Sequence, residues 1–249
     1  MKSDDHSTSE LHRTIILKKH FLRKLFERYY RNFLAVERSL AIGGLSLEIG
    51  SGGGFFKQIC PSIITSDILR LPHVDCVNDA HALPFKNNSL KAIYGLQTLH
   101  HLGKPKQFFR EAVRCLKPNG KICFLEPFLS PFGRFLYTHF HYEPCDYETS
   151  CWDFQQNRPL SDSNQALPTI IFKRDISTFQ NEFPELRIES IRYHTFLLHA
   201  LSGGVRYRAF VPNFLFGPLT VFEDALSPLM KWLGTMQTIV LVKKDSKRT

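Results

Sequence analysis

A twelve-residue stretch, 45–56, constrains the fold more than any other part of this chain. It reads Leu-Ser-Leu-Glu-Ile-Gly-Ser-Gly-Gly-Gly-Phe-Phe, with apolar residues at alternate positions followed by four glycines in five residues. The alternation predicts a short buried strand, and the glycines permit positive φ angles and a close approach of the backbone to a ligand. A strand, a glycine turn and a helix start place a ligand at the carboxyl end of a parallel sheet.

Two familiar nucleotide loops do not match this stretch. The dinucleotide fingerprint needs a third small residue where Phe55 stands, and a phosphate loop would end in Gly-Lys-Ser/Thr, which is absent. The remaining pattern is E-x-G-x-G, formed by Glu48, Gly50 and Gly52. Taken alone, the loop leaves a purely structural turn open as an alternative.

Acidic residues follow the next two predicted strands. Residues 63–67 form the second predicted strand, which ends at Asp67, and a short third strand at 74–77 leads to Asp79. A carboxylate at the end of the second strand is placed to accept hydrogen bonds from the ribose hydroxyls of an adenosine ligand. Local sequence predicts equally well that Asp67 caps the following turn.

Four ordered motifs between residues 42 and 127 resemble the class I S-adenosylmethionine (SAM) methyltransferases, in the subgroup that includes quinone-biosynthesis C-methyltransferases. Besides E-x-G-x-G they are D-A-H-A-L-P-F at 79–85, L-H-H-L at 99–102 and R-C-L-K-P-N-G at 114–120. Leu90 and Lys91 stand where the family has Phe-Asp, and Asn119 replaces a glycine. Asn tolerates the left-handed conformation, so we expect that turn to form.

The resemblance implies an α/β fold: a Rossmann-like, seven-stranded, mostly parallel sheet with an antiparallel last strand, helices on both faces and lid insertions. Alternating apolar residues predict the sixth strand at 186–194 and the seventh at 236–243. We expect an N-terminal helical segment at 1–41 and a methyltransferase domain at 42–249. Insertions in this domain are predicted at about 128–167 and 198–233.

The same resemblance implies SAM as the cofactor and assigns a role to each matching residue. Glu48 would organise the cofactor end through the loop amides and the amino group, and Gln97 would lie near the sulfonium. The expected contacts with the rest of the cofactor are Gly50, Ser51 and Gly52 with the methionine part, Asp67 with the ribose, Asp79 and Ala80 with the adenine, and Ile68 and His81 with the ring faces.

No catalytic residue is assigned from the sequence, because methyl transfer needs a base only where the nucleophile must lose a proton. The candidates for such a base are His100, His101, Glu126, His139, His141 and Tyr142. His139 and His141, with Cys145 and Cys151, suggest a metal cluster, but their spacing matches no standard zinc pattern. We therefore predict no metal site from the sequence.

The two insertions are rich in large apolar residues. The first is aromatic, and Leu219 to Leu233 in the second follow the spacing of an amphipathic helix. Both patterns fit satellite core packing, and both fit a lid over an apolar substrate pocket.

Charge and cysteine content bear on partners and compartment. The formal net charge is 32 − 23 = +9, which favours an anionic partner such as acidic lipid, nucleic acid or a phosphorylated substrate. A helix predicted from Ser7 to about Leu40 has one apolar and one basic side, which fits contact with an anionic membrane or nucleic acid, or simply a solvated side.

Three features of the sequence predict a cytoplasmic protein. The six cysteines are scattered, the polar N-terminus lacks the apolar core of a signal peptide, and no apolar run reaches about 20 residues. Membrane association is left open.

The function predicted from these patterns is SAM-dependent methyl transfer to a small-molecule or lipid-like acceptor. An RNA or protein methyltransferase is one alternative, although Gly95-Leu96-Gln97-Thr98 replaces the N-P-P-Y-type motif of amino-group methylation. A non-catalytic binding module is the other alternative, and the complete glycine loop with its two aspartates argues against it.

Overall fold

The computed structural model describes residues 6–158 and 161–245. Residues 1–5 of the predicted N-terminal segment, 159–160 of the first predicted insertion and 246–249 of the predicted methyltransferase domain lie outside the described residues. No helix in the described part combines the length and the apolar character that a membrane span requires.

Seven strands form one sheet in the order β3-β2-β1-β4-β5-β7-β6. The strands from β1 to β5 pair in parallel, and β7 is antiparallel to both of its neighbours, β5 and β6. This confirms the predicted fold class. The strands are β1 Leu45–Ile49, β2 Ile64–Asp67, β3 Cys76–Val77, β4 Leu90–Leu96, β5 Leu116–Pro127, β6 Leu186–His194 and β7 Met236–Lys243.

Ten α-helices lie in the described ranges, with short 3₁₀ turns at Leu99–His101, Asn213–Leu215 and Ser227–Leu229 and a π-helical segment at Ile170–Arg174. The helices are α1 His6–Lys18, α2 His20–Ser39, α3 Phe55–Ile59, α4 Pro105–Cys115, α5 Pro131–His139, α6 Leu167–Thr169, α7 Ile176–Glu182, α8 Leu197–Ser202, α9 Phe216–Ala225 and α10 Met230–Leu233.

The central strands are buried on both faces, because alternate side chains enter two separate cores. On β4, Ile93 belongs to the core beneath α4, whereas Tyr94 belongs to the core beneath α2. Phe124 and Cys123 on β5 divide in the same way. Parallel sheets covered by helices on both faces show this near-continuous apolar character.

The long N-terminal helix predicted from the sequence is two helices, with a break at Lys19. Much of its basic side contacts the chain itself. Arg28 forms an ion pair with Asp224 (2.5 Å), and Lys19 donates to the carbonyl of Gly204 (2.9 Å). These contacts attach α1 and α2 to the second insertion and leave fewer cations facing solvent than the helical pattern predicted.

The prediction of one amphipathic helix from Leu219 to Leu233 in the second insertion is wrong. It is broken into α9, a 3₁₀ turn and α10, because Pro228 lacks an N–H group and disfavours helical geometry at the residue before it. β5 begins at Leu116, inside the R-C-L-K-P-N-G motif. Asn119 takes the expected left-handed conformation with φ of 64°.

Candidate active site

The glycine loop after β1 turns because three of its glycines have positive φ. These are Gly50 at 59°, Gly52 at 50° and Gly54 at 65°. A Cβ at Gly50 would lie 2.7 Å from the side chain of Thr98, whereas a Cβ at Gly52 would meet nothing within 4 Å. The loop therefore packs against the end of β4 at Gly50 and opens into free space at Gly52, as a backbone cradle for a ligand requires.

A cavity of about 170 Å³ lies at this loop, at the carboxyl ends of β1, β2 and β4. Such a position is where open α/β sheets bind their ligands. The structure brings eight of the ten predicted cofactor residues onto its wall: Gly50, Gly52, Asp67, Ile68, Asp79, Ala80, His81 and Gln97.

Asp67 joins the ends of β1 and β2. One carboxylate oxygen accepts a hydrogen bond from the N–H of Gly52 (3.0 Å), and the other accepts from the N–H of Leu69 (2.9 Å). Burial raises the pKa of Asp67, and these backbone donors oppose the shift. The sequence left two roles open for Asp67, as the cap of a turn and as a ligand contact. In the structure Asp67 closes a local turn and also lines the cavity.

Asp79 and His81 form a fixed pair on the same wall. Asp79 Oδ1 accepts from the N–H of His81 (2.8 Å) and lies 2.7 Å from His81 Nδ1. The N–H of Lys104 donates to His81 Nε2 (3.3 Å). A nitrogen that accepts from a backbone N–H carries no proton, so Nδ1 is the protonated nitrogen and donates to Asp79. This hydrogen bond orients the imidazole at the cavity.

Glu48 and Ser51 lie behind the loop and not on the cavity wall. Glu48 is fully buried, and neither of its carboxylate oxygens has a partner at hydrogen-bonding geometry among the described residues. Burial raises the pKa of Glu48 to about 8, although the nearby hydroxyls of Ser51 and Tyr30 oppose the shift. The Ser51 hydroxyl accepts from the N–H of Ser66 (3.2 Å) and so ties the loop to β2.

A second and larger cavity, of about 620 Å³, adjoins the first. Gln97 and His101 line both. Gln97 has a φ of 52°, a left-handed conformation that is uncommon outside glycine, and its N–H donates to the carbonyl of Leu125 (2.8 Å). The strained residue thus stands at the passage between the two cavities, and such strain often accompanies a functional site.

The larger cavity is assembled from distant parts of the chain. Residues of α1, α2, α5, the segment after α5 and the segment from α8 to 210 all contribute. Most of its wall is apolar, as at Ile16, Leu25 and Phe26, while histidines and a carboxylate occupy the side next to Gln97.

His100 lies between two carboxylates on that polar side. Its Nδ1 is 2.6 Å from Glu126 Oε2, and its Nε2 is 3.6 Å from Glu143 Oε2. Glu126 is in turn fixed by the N–H groups of Thr98 and Leu99, each at 2.7 Å. Burial lowers the pKa of His100, but the two carboxylates outweigh it and raise the pKa to about 9.

Glu143 is held in place by polar neighbours from the segment before α6. The side-chain amide of Gln165 and the hydroxyl of Ser163 both donate to its carboxylate. Burial acts to raise the pKa of Glu143, but the adjacent His100 and the charges of His101 and His141 together outweigh burial and lower the pKa. Glu143 therefore presents an ionised carboxylate to the cavity.

The six candidate bases divide into three groups. His100, His101, His141 and Tyr142 line the larger cavity, Glu126 lies behind His100, and His139 is exposed and contacts Phe135 and Thr138. Burial lowers the pKa of His141, so its ring is neutral at pH 7. His139 does not come together with Cys145 and Cys151 as a metal cluster among the described residues. All six cysteines are free thiols.

The sequence did not predict three residues on the wall of the larger cavity: Glu143, Gln165 and His199. They line the larger cavity, although they come from segments far apart in the chain. No motif or spacing marks them, because their place on this wall depends on how the two insertions fold over the sheet. Only the general expectation that the first insertion covers the substrate pointed toward Glu143 and Gln165.

One comparison with known proteins finds a match, and the matched residues include most of the wall of the small cavity. A family model described as "Methyltransferase domain" matches residues 47–124. A search of curated proteins finds no match to the chain.

Several solved methyltransferases have a similar overall shape. The methyltransferase in a complex with the Trm112 activator of Haloferax volcanii is 14% identical, with 90% of this chain and 92% of that one covered and a TM-score of 0.49. Geranyl diphosphate C-methyltransferase of Streptomyces coelicolor A3(2), solved with S-adenosyl-L-homocysteine, is 11% identical, with 93% and 82% covered and a TM-score of 0.45. Phosphoethanolamine N-methyltransferase 2 of Haemonchus contortus, solved with SAM, is 13% identical, with 86% and 53% covered and a TM-score of 0.43.

The family match spans the strand that carries Glu48, the glycine loop and both aspartates of the small cavity. The sheet order and the antiparallel β7 are those implied by the motifs. Residues 47–124 therefore match a methyltransferase domain, and this matched segment contains most of the residues on the wall of the small cavity.

Proposed function

We propose that the protein transfers the methyl group of SAM, held in the small cavity, to a small lipid-like acceptor held in the large one. The observation that carries the proposal is the shared wall of the two cavities at Gln97 and His101. A donor and an acceptor bound on either side of that wall would have their reacting atoms close together. Holding reactants in line removes much of the barrier of a displacement.

In the small cavity, the residues act as a scaffold for the cofactor. We assign Asp67 to the ribose hydroxyls, Asp79 and Ala80 to the adenine, Ile68 and His81 to the ring faces, and Gln97 to the sulfonium end. Gly50 and Gly52 make room for the methionine part. Ser51 and Glu48 would act through the loop, because both lie behind it.

The acceptor is assigned from the walls of the large cavity. An apolar body fits the side chains of α1, α2 and α5, and a polar end fits the side next to Gln97. Gln165 Oε1 and His199 Nδ1 are buried without a hydrogen-bond partner among the described residues. Buried polar atoms are normally paired, so these two atoms favour an acceptor that brings polar groups of its own.

The mouth of the large cavity supports a lipid-like acceptor. Phe140, Tyr142, Tyr207 and Phe210 line the cavity and are also more than half exposed. Exposed aromatic residues around an opening are typical of surfaces that meet apolar partners. Arg206 lies over the Tyr142 ring at 5.2 Å and adds a positive charge at the same opening. We propose that the acceptor enters from an anionic membrane. A quinone-like compound would suit the apolar cavity, and the motifs resemble a subgroup that includes quinone-biosynthesis C-methyltransferases.

The chemistry asks little of the protein beyond placement. Bound SAM supplies an electrophilic methyl group on a sulfonium, and the leaving group is a neutral thioether that needs no proton. The acceptor's lone pair forms the bond to the methyl carbon while the carbon–sulfur electron pair returns to sulfur. If the acceptor atom carries a proton, His101 is the best-placed group to receive it, because it lines both cavities.

We also propose the domain division predicted from the sequence. Residues 1–41 would form a helical segment that closes the site, since Ser9 of α1 lines the small cavity and Ile16 lines the large one. The insertions at 128–167 and 198–233 would supply the acceptor side, and the remainder of 42–249 would supply the cofactor side.

Two measurements test the proposal in sequence. Calorimetry should show SAM binding by the purified chain, and tritiated SAM should then label the lipid fraction of a fractionated host extract. No heat and no thermal stabilisation at millimolar SAM would contradict the enzyme assignment. Label entering the RNA or protein fraction and not the lipid fraction would overturn the acceptor class.

A further inference from the structure

Two histidines and a carboxylate converge on one wall of the large cavity. His100 Nε2 lies 3.6 Å from Glu143 Oε2, and His101 Nε2 lies 3.9 Å from the same oxygen. One ligating atom from each of the three residues lies within 4.8 Å of the others. Both separations are ion-pair distances that exceed a hydrogen bond, so neither histidine hydrogen-bonds to Glu143 and the three groups face a common gap.

The gap has the dimensions of a metal site. Ligand atoms about 2.0–2.1 Å from a tetrahedral metal ion are about 3.4 Å apart from one another. The two separations from Glu143 exceed this by a few tenths of an ångström, and the histidine nitrogens lie within 4.8 Å of each other, so side-chain movements would bring the three ligand atoms to this spacing. Two histidines and a glutamate form a known ligand set of catalytic zinc sites, in which the fourth position stays open.

His100 is oriented as a metal ligand would be. Its Nδ1 contacts the buried carboxylate of Glu126 at 2.6 Å, which leaves Nε2 directed at the gap. Metal-binding histidines almost always donate the N–H opposite the metal to a carboxylate, a carbonyl or water. Gln165 and Ser163 also fix Glu143, because both donate to Oε2, the carboxylate oxygen that faces the two histidines.

The charge of the cluster also favours a cation. Glu126 and Glu143 are both buried, and the ion pairs they make among the described residues are with histidines only, with no lysine or arginine. Buried carboxylates are normally paired with a cation or bound to a metal. A divalent ion that displaces the Nε2 proton of His100 and lies between the two imidazoles and Glu143, with Glu126 behind, would balance the two negative charges.

We propose that His100, His101 and Glu143 bind a divalent transition-metal ion of the zinc type, whose open coordination position faces the large cavity. Nitrogen and carboxylate ligands in this combination suit zinc and its neighbours better than magnesium or calcium. If the proposed function holds, the open position receives an oxygen of the methyl acceptor, and the bound ion replaces His101 in the base role proposed above, because His101 Nε2 is then a ligand. The metal site itself does not depend on that role.

The test is a metal titration of the full chain after treatment with a chelator and in the absence of SAM. Calorimetry with Zn²⁺ and the visible absorption of added Co²⁺ should both report one ion per chain. His101→Gln and Glu143→Gln each remove a ligand of the metal ion. Mutation of a group that only supports a ligand already costs about 10–100-fold in metal affinity, so each of these variants should bind the metal more weakly by that factor or more. His139→Gln and Glu148→Gln are matched controls, because these exposed residues lie outside the cluster and should bind the ion as the wild type does.

The proposal is overturned if the wild type binds neither ion, or if both cluster variants bind Co²⁺ as tightly as the two controls. Circular dichroism of each variant separates loss of a ligand from loss of the fold. SAM calorimetry on the metal-free chain keeps the two proposals distinct. A chain that binds SAM but no metal retains the proposed function, whereas a chain that binds metal but no SAM loses it.

Discussion

The two cavities are neighbours, but the chain builds them in different ways. Most of the wall of the small cavity comes from residues 49–102, where each strand end delivers its loop to the same edge of the sheet. The large cavity draws its wall from residues 12–210, through helices and insertions that lie on opposite sides of the motif region. The difference shows that residues close together in the chain can build the small cavity, whereas the large cavity depends on long-range packing.

The walls also differ chemically. The small cavity relies on backbone turns and on aspartates held by N–H donors, as at Asp67. The large cavity combines apolar side chains with a buried group of histidines and carboxylates. Substitutions in the small cavity should therefore change the affinity for SAM, whereas substitutions in the large cavity should change the KM for the proposed acceptor.

The largest effect is expected where the loop meets β4. In Gly50→Ala, the new Cβ would overlap the Thr98 side chain at a φ of 59°. Left-handed strain and overpacking together should cost about 2–6 kcal/mol, seen as lower stability in urea and at least tenfold weaker SAM binding. Gly43→Ala is the control, since a Cβ there meets nothing within 4 Å. Equal stability and SAM affinity in the two variants would refute the tight packing at Gly50.

The next effect concerns Glu48 beneath the same loop. Its pKa is raised from 4.5 to about 8 in the folded chain, so the folded state holds a proton that the unfolded state releases between these values. The free energy of unfolding should therefore fall as pH rises from about 4.5 to about 8, by a few kcal/mol at about 1.4 kcal/mol per pKa unit. In Glu48→Gln this decrease should largely disappear. Parallel stability curves for wild type and variant would show that Glu48 ionises normally.

Asp67→Ala tests the donor side without disturbing the acceptor side. Removal of the carboxylate takes away the proposed ribose contact and leaves the N–H of Gly52 without its acceptor. Unpaired polar groups of this kind cost about 1–3 kcal/mol, so SAM should bind roughly 5–150-fold more weakly in calorimetry. Asp153→Ala, at an exposed position, should bind SAM normally. An affinity unchanged from wild type would remove Asp67 from the cofactor site.

Ala200→Trp tests the acceptor side alone. Ala200 of α8 lines the large cavity and not the small one, so an indole there should occupy acceptor space. We expect about 1–3 kcal/mol of lost acceptor binding, measured as a higher KM in the labelling assay, with SAM affinity preserved. Ala225→Trp, at the exposed end of α9, serves as the control. A parallel loss of SAM affinity would mean that the two cavities are not separable.

The sequence alone determined the fold class, the strand–loop–helix unit at 45–59 and the limits of β6 and β7, because these depend on local alternation and turn chemistry. It also placed Gly52, Asp67 and Asp79 together, since parallel strands end at one edge of a sheet. Breaks at Lys19 and Pro228 were harder to predict, because apolar periodicity continues across both.

Only the tertiary structure decided which residues surround the large cavity. Glu143 and Gln165 reach His100 through an insertion whose path over the sheet is set by the burial of side chains such as Tyr137 and Trp152 in the main core. Contacts between residues so far apart leave no period or spacing in the chain. The wall of the small cavity could therefore be predicted from local sequence patterns. The wall of the large cavity could not, because it forms only when the folded chain brings distant side chains together.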